Sequence, residues 1–212
     1  MLQSLIKKRV YYFMGCLVLL IASMCWLNTI GKANTFLQLN KIHIAWLDTF
    51  FIYFTFLGDG ISTLILSFFL FFFIKNKKLA ITIFTAFITS GIAIQIIKYF
   101  VDAPRPLSFF KPGQYQFFIH DITHSANNSF PSGHATTAFA VITVLVVHAK
   151  KIYQMPLFLL AVLISYSRVY LAQHFLTDIT AGAFIGILFA LLSIVLIEKI
   201  PEKKWNVVHN KN

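Results

Sequence analysis

Three short stretches of this sequence hold side chains able to grip an anion and move protons. The first runs from Lys98 to Arg105 and Pro106, the second is Pro131-Ser132-Gly133-His134, and the third begins Ser167-Arg168 and reaches His174 and Asp178. Lys98, Arg105 and Arg168 supply three cations, and the planar fork of an arginine suits the paired oxygens of a phosphate. Ser132 reads as the cap of a helix, and Gly133 would let a ligand approach the backbone. The free N–H groups and dipole of that helix start favour an anion. Two histidines supply what phosphate hydrolysis then requires: one attacks phosphorus as a neutral imidazole and the other protonates the departing oxygen. Asp178 follows His174 by four positions, a spacing that predicts a shared helix face, with the carboxylate holding one ring nitrogen and leaving the other free.

Each stretch has a plainer reading when taken alone. Lys98 and Arg105 could anchor a helix end at a membrane surface, Ser132 could cap an ordinary helix, and His174 with Asp178 could be a surface pair. The functional reading rests on their convergence at one membrane boundary. A metal site is poorly supported, because the chain has only seven acidic residues and no His-Glu-x-x-His or cysteine ligand set. His120, Asp121 and His124 form the one local grouping that invites it, and they read as a solvated loop. No cofactor is expected.

The elements that must position these groups are membrane helices. Of 212 residues, 58% are hydrophobic and 12% charged, whereas soluble domains carry about 25% charge. A spanning helix needs about 20 mainly apolar residues, and six segments qualify: 10–29, 49–74, 79–100, 134–149, 152–170 and 178–197. The net charge of +11 would suggest nucleic acid if the cations formed one face. They cluster instead beside apolar segments, as at Lys7, Lys8 and Arg9, so no nucleic-acid partner is expected. With both termini in the cytoplasm, twelve lysines and arginines fall inside and six outside, in line with the positive-inside rule. This puts the three stretches at the outer face of an all-α, six-span bundle that forms a single domain over 1–212.

Some details are less regular. The first span resembles a secretory signal, but its apolar run is longer than a signal core, and Lys32 splits the small pair Gly31 and Ala33, so it is read as uncleaved. Gly58, Asp59 and Gly60 interrupt the second span. The preferred reading puts 42–57 along the outer interface and the crossing at 60–75; the other turns Asp59 to a polar interior. Cys16 and Cys25 read as small packing residues.

The three stretches match, in order and spacing, the tripartite signature Lys-x6-Arg-Pro, Pro-Ser-Gly-His and Ser-Arg-x5-His-x3-Asp. The sequence thereby resembles the type 2 phosphatidic acid phosphatase superfamily, with the signature region spanning 98–178. The resemblance implies an integral membrane phosphatase in which His174 forms a phosphohistidine, Asp178 orients it and His134 is the general acid. Lys98, Arg105, Ser132, Gly133 and Arg168 would hold the phosphoryl oxygens. It implies a phospholipid or isoprenoid-phosphate substrate in the bacterial inner membrane, with undecaprenyl diphosphate, lipid A phosphates and glycerophospholipid phosphates as the choices. A lipid-to-lipid phosphotransferase and a non-enzymatic transporter of anionic lipids remain as alternatives.

Overall fold

The computed structural model describes residues 6–119, 122–123, 127–201 and 205. Every regular element among them is helical. In chain order these are α1 (Val10–Leu39), α2 (Ala45–Phe54), a 3-10 turn (Thr55–Gly58), α3 (Gly60–Phe72), α4 (Lys77–Phe100), the single-turn α5 (Pro106–Phe109), α6 (Gly133–His148), a second 3-10 turn (Lys151–Tyr153), α7 (Gln154–Tyr170) and α8 (Leu176–Glu198).

Four of these segments, α1, α4, α8 and the helical stretch Lys151–Tyr170 that contains α7, are long and apolar enough to cross a bilayer. A fifth crossing requires α2 and α3 to act together, and they are bent by 55° where they meet. The bend falls at the predicted break: Asp59 is extended, and its side chain accepts the Ile61 N–H to cap α3. With 16 residues, α6 measures about 24 Å at 1.5 Å per residue, short of a 30 Å hydrocarbon core.

α6 and α8 form the centre. Twelve residues of α6 are buried, mostly Ala, Thr and Val. Gly182 and Gly186, one turn apart on α8, let the backbones close up: a Cβ at Gly182 would lie 2.7 Å from the Ser132 carbonyl, and one at Gly186 would collide with that of Thr136. Small residues four apart permit this approach in membrane helices, where packing rather than water drives association. α4 flanks this pair on one side, through Ile83 and Ala86 against Val144 and Ile194. On the other side α1 and α7 meet α6 and α8, through Tyr12, Cys16 and Ala161 against Phe139 and Ala183.

Two expectations need correction. The first helix does not end near residue 29 but continues to Leu39, bent at Gly31, which has φ 79° and lies outside helical geometry. Its last turns bring Phe36 against Phe110, Tyr115 and Phe175, and this packing sustains a helix beyond the apolar run. The cysteines also differ: Cys16 is buried and Cys25 exposed. Nine helical positions turn a side chain through about half a circle, so Cys25 faces outward and packs no core.

Candidate active site

Lys98 lies in the last turn of α4. The chain then leaves the helix, and Arg105 sits in extended conformation immediately before Pro106 starts α5. Arg105 Nη1 donates to Gln173 Oε1, while Gln173 Nε2 donates to the Ile122 carbonyl. Arg168 occupies the last turn of α7 and donates from Nη1 to Thr55 Oγ1 at 2.8 Å. Both guanidiniums have a buried Nε–H with no hydrogen-bond partner among the described residues. Lys98 is within electrostatic range of Arg105, Asp178 and Arg168. Buried donors normally find acceptors, so two orphaned guanidinium N–H groups beside a third cation suit an anion.

Ser132 caps α6, its hydroxyl accepting the Ala135 N–H at 3.5 Å, and it is fully buried. A Cβ added to Gly133 would meet only Ile94 Cδ1, at 3.6 Å, so the backbone there remains approachable. The Ser132 N–H donates to the Asp178 carbonyl at 3.0 Å, which joins the starts of α6 and α8.

His174 and Asp178 meet, but not on a shared helix face. α7 ends with Ala172 left-handed at φ 52°; the Arg168 carbonyl accepts the Gln173 N–H (2.9 Å) and the Val169 carbonyl the Ala172 N–H (2.9 Å), and the Arg168 carbonyl also accepts the His174 N–H (3.1 Å). This is a Schellman closure, and it fixes His174 beside Arg168. The next helix starts only at Leu176, because the Asp178 carboxylate turns back to accept the Phe175 N–H at 2.9 Å. The imidazole therefore stands before the helix, with Nδ1 3.5 Å from Asp178 Oδ2. Ser129 donates to the same carboxylate oxygen at 2.6 Å, and Thr177 donates to the other at 2.9 Å. His174 is 3% exposed, and its Nε2 makes no hydrogen bond to the described residues. Burial pushes the imidazole down to about 4. Asp178 opposes that shift, while Arg168 and Arg105 add to it.

His134, in the first turn of α6, places Nε2 3.9 Å from Asp59 Oδ2. The eight side chains or backbone positions singled out from the sequence thus gather at one end of the bundle. His120, Asp121 and His124 lie outside the described residues. No cluster of three His, Cys, Asp or Glu side chains suited to a metal occurs among those described.

Residues 79–202 match the PAP2 superfamily. The chain belongs to the PAP2 superfamily. An undecaprenyl-diphosphatase of Sulfolobus acidocaldarius is 26% identical over 205 residues, covering 93% of this chain and 96% of that one. Among solved structures, Aquifex aeolicus LpxE superposes with a TM-score of 0.67 at 31% identity, covering 77% of this chain and 94% of its own. A transmembrane PAP2-type phosphatidylglycerolphosphate phosphatase from Bacillus subtilis gives a TM-score of 0.64 at 25% identity, covering 92% and 98%.

Ser129, Gln173, Thr55 and Asp59 also touch this PAP2 site, and motif reasoning passed over the first three. Ser129 stands two positions before Pro131 in a polar loop, and Gln173 is one of the unspecified positions between Arg168 and His174. Thr55 lies more than 100 positions from the arginine it contacts. Asp59 alone left a signal, as a charge inside an apolar run.

Proposed function

We propose that this membrane phosphatase removes phosphate from a lipid phosphate or diphosphate of the bacterial envelope through a phosphohistidine on His174. The observation that carries the reading is the pair of buried guanidinium N–H groups of Arg105 and Arg168 that have no partner among the described residues, beside an imidazole whose Nδ1 lies 3.5 Å from Asp178. Nε2 of His174 attacks phosphorus, and the bond from phosphorus to the leaving oxygen breaks as that oxygen takes a proton from His134. Water then attacks the same phosphorus, breaking its bond to Nε2 while giving a proton to His134, and frees inorganic phosphate. Lys98, Arg105, Arg168 and the N–H groups at the start of α6 spread the charge of the equatorial oxygens, the main demand of phosphoryl transfer.

The site faces the outside of the inner membrane, with both termini cytoplasmic and six crossings. That position presents the phosphate of a lipid whose chains stay in the bilayer. The names of the similar proteins point to isoprenoid diphosphates and glycerophospholipid phosphates, and lipid A belongs to the same class of substrate.

The deciding experiment offers purified protein undecaprenyl diphosphate, lipid A, phosphatidylglycerol phosphate and phosphatidic acid, scoring inorganic phosphate. At least one should release it, and His174→Ala should release none while remaining folded in detergent. Wild-type rates in that variant would reject the covalent route. A phosphorylated lipid acceptor with little free phosphate would replace hydrolysis by transfer.

A further inference from the structure

The break at Gly58, Asp59 and Gly60 is built into the site's wall. A Cβ on Gly58 would lie 3.2 Å from the His134 carbonyl, 3.3 Å from its Cβ and 2.7 Å from Ile164 Cγ2, so the missing side chain lets the turn press against α6 and α7. The same turn supplies Thr55, which accepts from Arg168 Nη1 at 2.8 Å and from the Ser167 hydroxyl at 3.0 Å. Asp59 uses Oδ1 to accept the Ile61 N–H at 2.9 Å, leaving Oδ2 at ion-pair distance, 3.9 Å, from His134 Nε2. The charged or titratable groups facing His134 from the other elements are Arg168 on α7, Lys98 on α4, and Arg105 and His174 in the connecting loops. Asp178 is engaged with Phe175, Ser129 and Thr177.

We infer that Asp59 is a positioning residue for His134, its carboxylate standing at ion-pair distance from Nε2 and balancing the positive charge the ring must carry to donate a proton. The inference deepens the phosphohistidine reading and depends on it. An imidazolium surrounded by three permanent cations is unfavourable without a counter-anion, and an opposite charge within about 4–6 Å favours the charged form. With Nε2 on the side of Asp59, the other ring nitrogen, which makes no hydrogen bond to the described residues, gives its proton to the leaving oxygen. Asp59 keeps its charge throughout, so the proton count of the reaction is unchanged. The arrangement parallels that of His174 and Asp178: each pair sets a carboxylate beside one ring nitrogen, at 3.9 Å here and 3.5 Å there.

The test is Asp59→Asn, since asparagine caps a helix about as well as aspartate and the substitution removes only the charge. With the best lipid substrate, kcat at pH 7.5 should fall about tenfold, a part of the roughly 10²–10⁴-fold that a general acid contributes. KM should not rise, because a negative charge has left a cradle for an anion. The alkaline limb of kcat/KM should move to lower pH by about one unit, and Asp59→Glu should restore part of that shift. A pH profile superimposable on wild type, or an even loss across pH with raised KM, would overturn the inference. His174→Ala runs alongside: if it is inactive while Asp59→Asn behaves as wild type, only the role of Asp59 fails. If His174→Ala is active, the phosphohistidine reading fails with it.

Discussion

His174 sets Nδ1 beside Asp178, while Nε2 makes no hydrogen bond to the described residues; if Nε2 is the nucleophile, burial of the ring decides the pH at which it can react. Because burial lowers the imidazole to about 4, it remains neutral well below the ordinary histidine value near 6.5. The acid limb that this group adds to kcat/KM should therefore lie near pH 4, with no inflection from it near 6.5. Stability follows the same shift. Between about pH 6.5 and 4 the unfolded chain binds a proton that the folded chain refuses, so stability falls as pH falls through that window. Melting in detergent at pH 7 and pH 5 should show a smaller acid loss for His174→Asn than for wild type. Ser129 acts one step back. Its hydroxyl is a charge-assisted donor to Asp178, a bond worth roughly 1.5 kcal/mol or more, so Ser129→Ala should lower kcat about tenfold with KM little changed. The types and spacing of His174 and Asp178 were legible in the sequence, but Ser129 was not, because a serine in a polar loop carries no mark of the carboxylate it meets 49 positions later.

At the scale of elements, the site depends on how closely α8 approaches α6. Gly182 lies one turn beyond Asp178, and a Cβ there would lie 2.7 Å from the carbonyl of Ser132, whose N–H is tied to Asp178. Gly182→Ala must push the helices apart at this point, an overpacking worth about 1–3 kcal/mol. It should lower both the melting temperature and the rate, whereas Gly91→Ala, where nothing lies within 4 Å of the added atom, should change neither. Hydropathy located the helices well, since an apolar run long enough for a membrane has few other readings. The break at Gly58 to Gly60 was legible too, from a charge flanked by glycines. The route from α7 to α8 was not. A four-residue spacing suggested a continuous helix through His174 and Asp178, but Ala172 adopts a left-handed conformation that glycine usually supplies. Only the packed surroundings of a fully buried alanine select that turn.

At the scale of the whole molecule, polarity is inverted relative to a soluble protein. Phe68, Phe69, Phe72 and Phe73 are exposed, while Thr136, Thr143, Ser165 and Ser193 are buried, as expected where lipid surrounds the bundle and hydrogen-bonding groups turn inward. The two ends of the bundle also differ. α6 and α8 both start at the candidate site and run to the other end, where Arg9 donates to the Val147 carbonyl at the end of α6. There Lys78 pairs with Glu198 at the end of α8, at 2.8 Å, and Lys150 and Lys151 follow α6 directly. The clustered cations and the cations of the candidate site thus occupy opposite ends, and the positive-inside rule predicts that the first group faces the cytoplasm. Fusions test this without any assay of catalysis. Alkaline phosphatase, active only outside the cytoplasm, should be active when joined after residue 115 and inactive after residue 76, and a fluorescent protein that folds only inside should give the reverse. Activity on the same side at both junctions would mean that α4 does not cross. Because Lys98 and the loop to Arg105 lie next to residue 115, an inside report at that junction would reject an outward-facing pocket supplied by lipids of the outer leaflet.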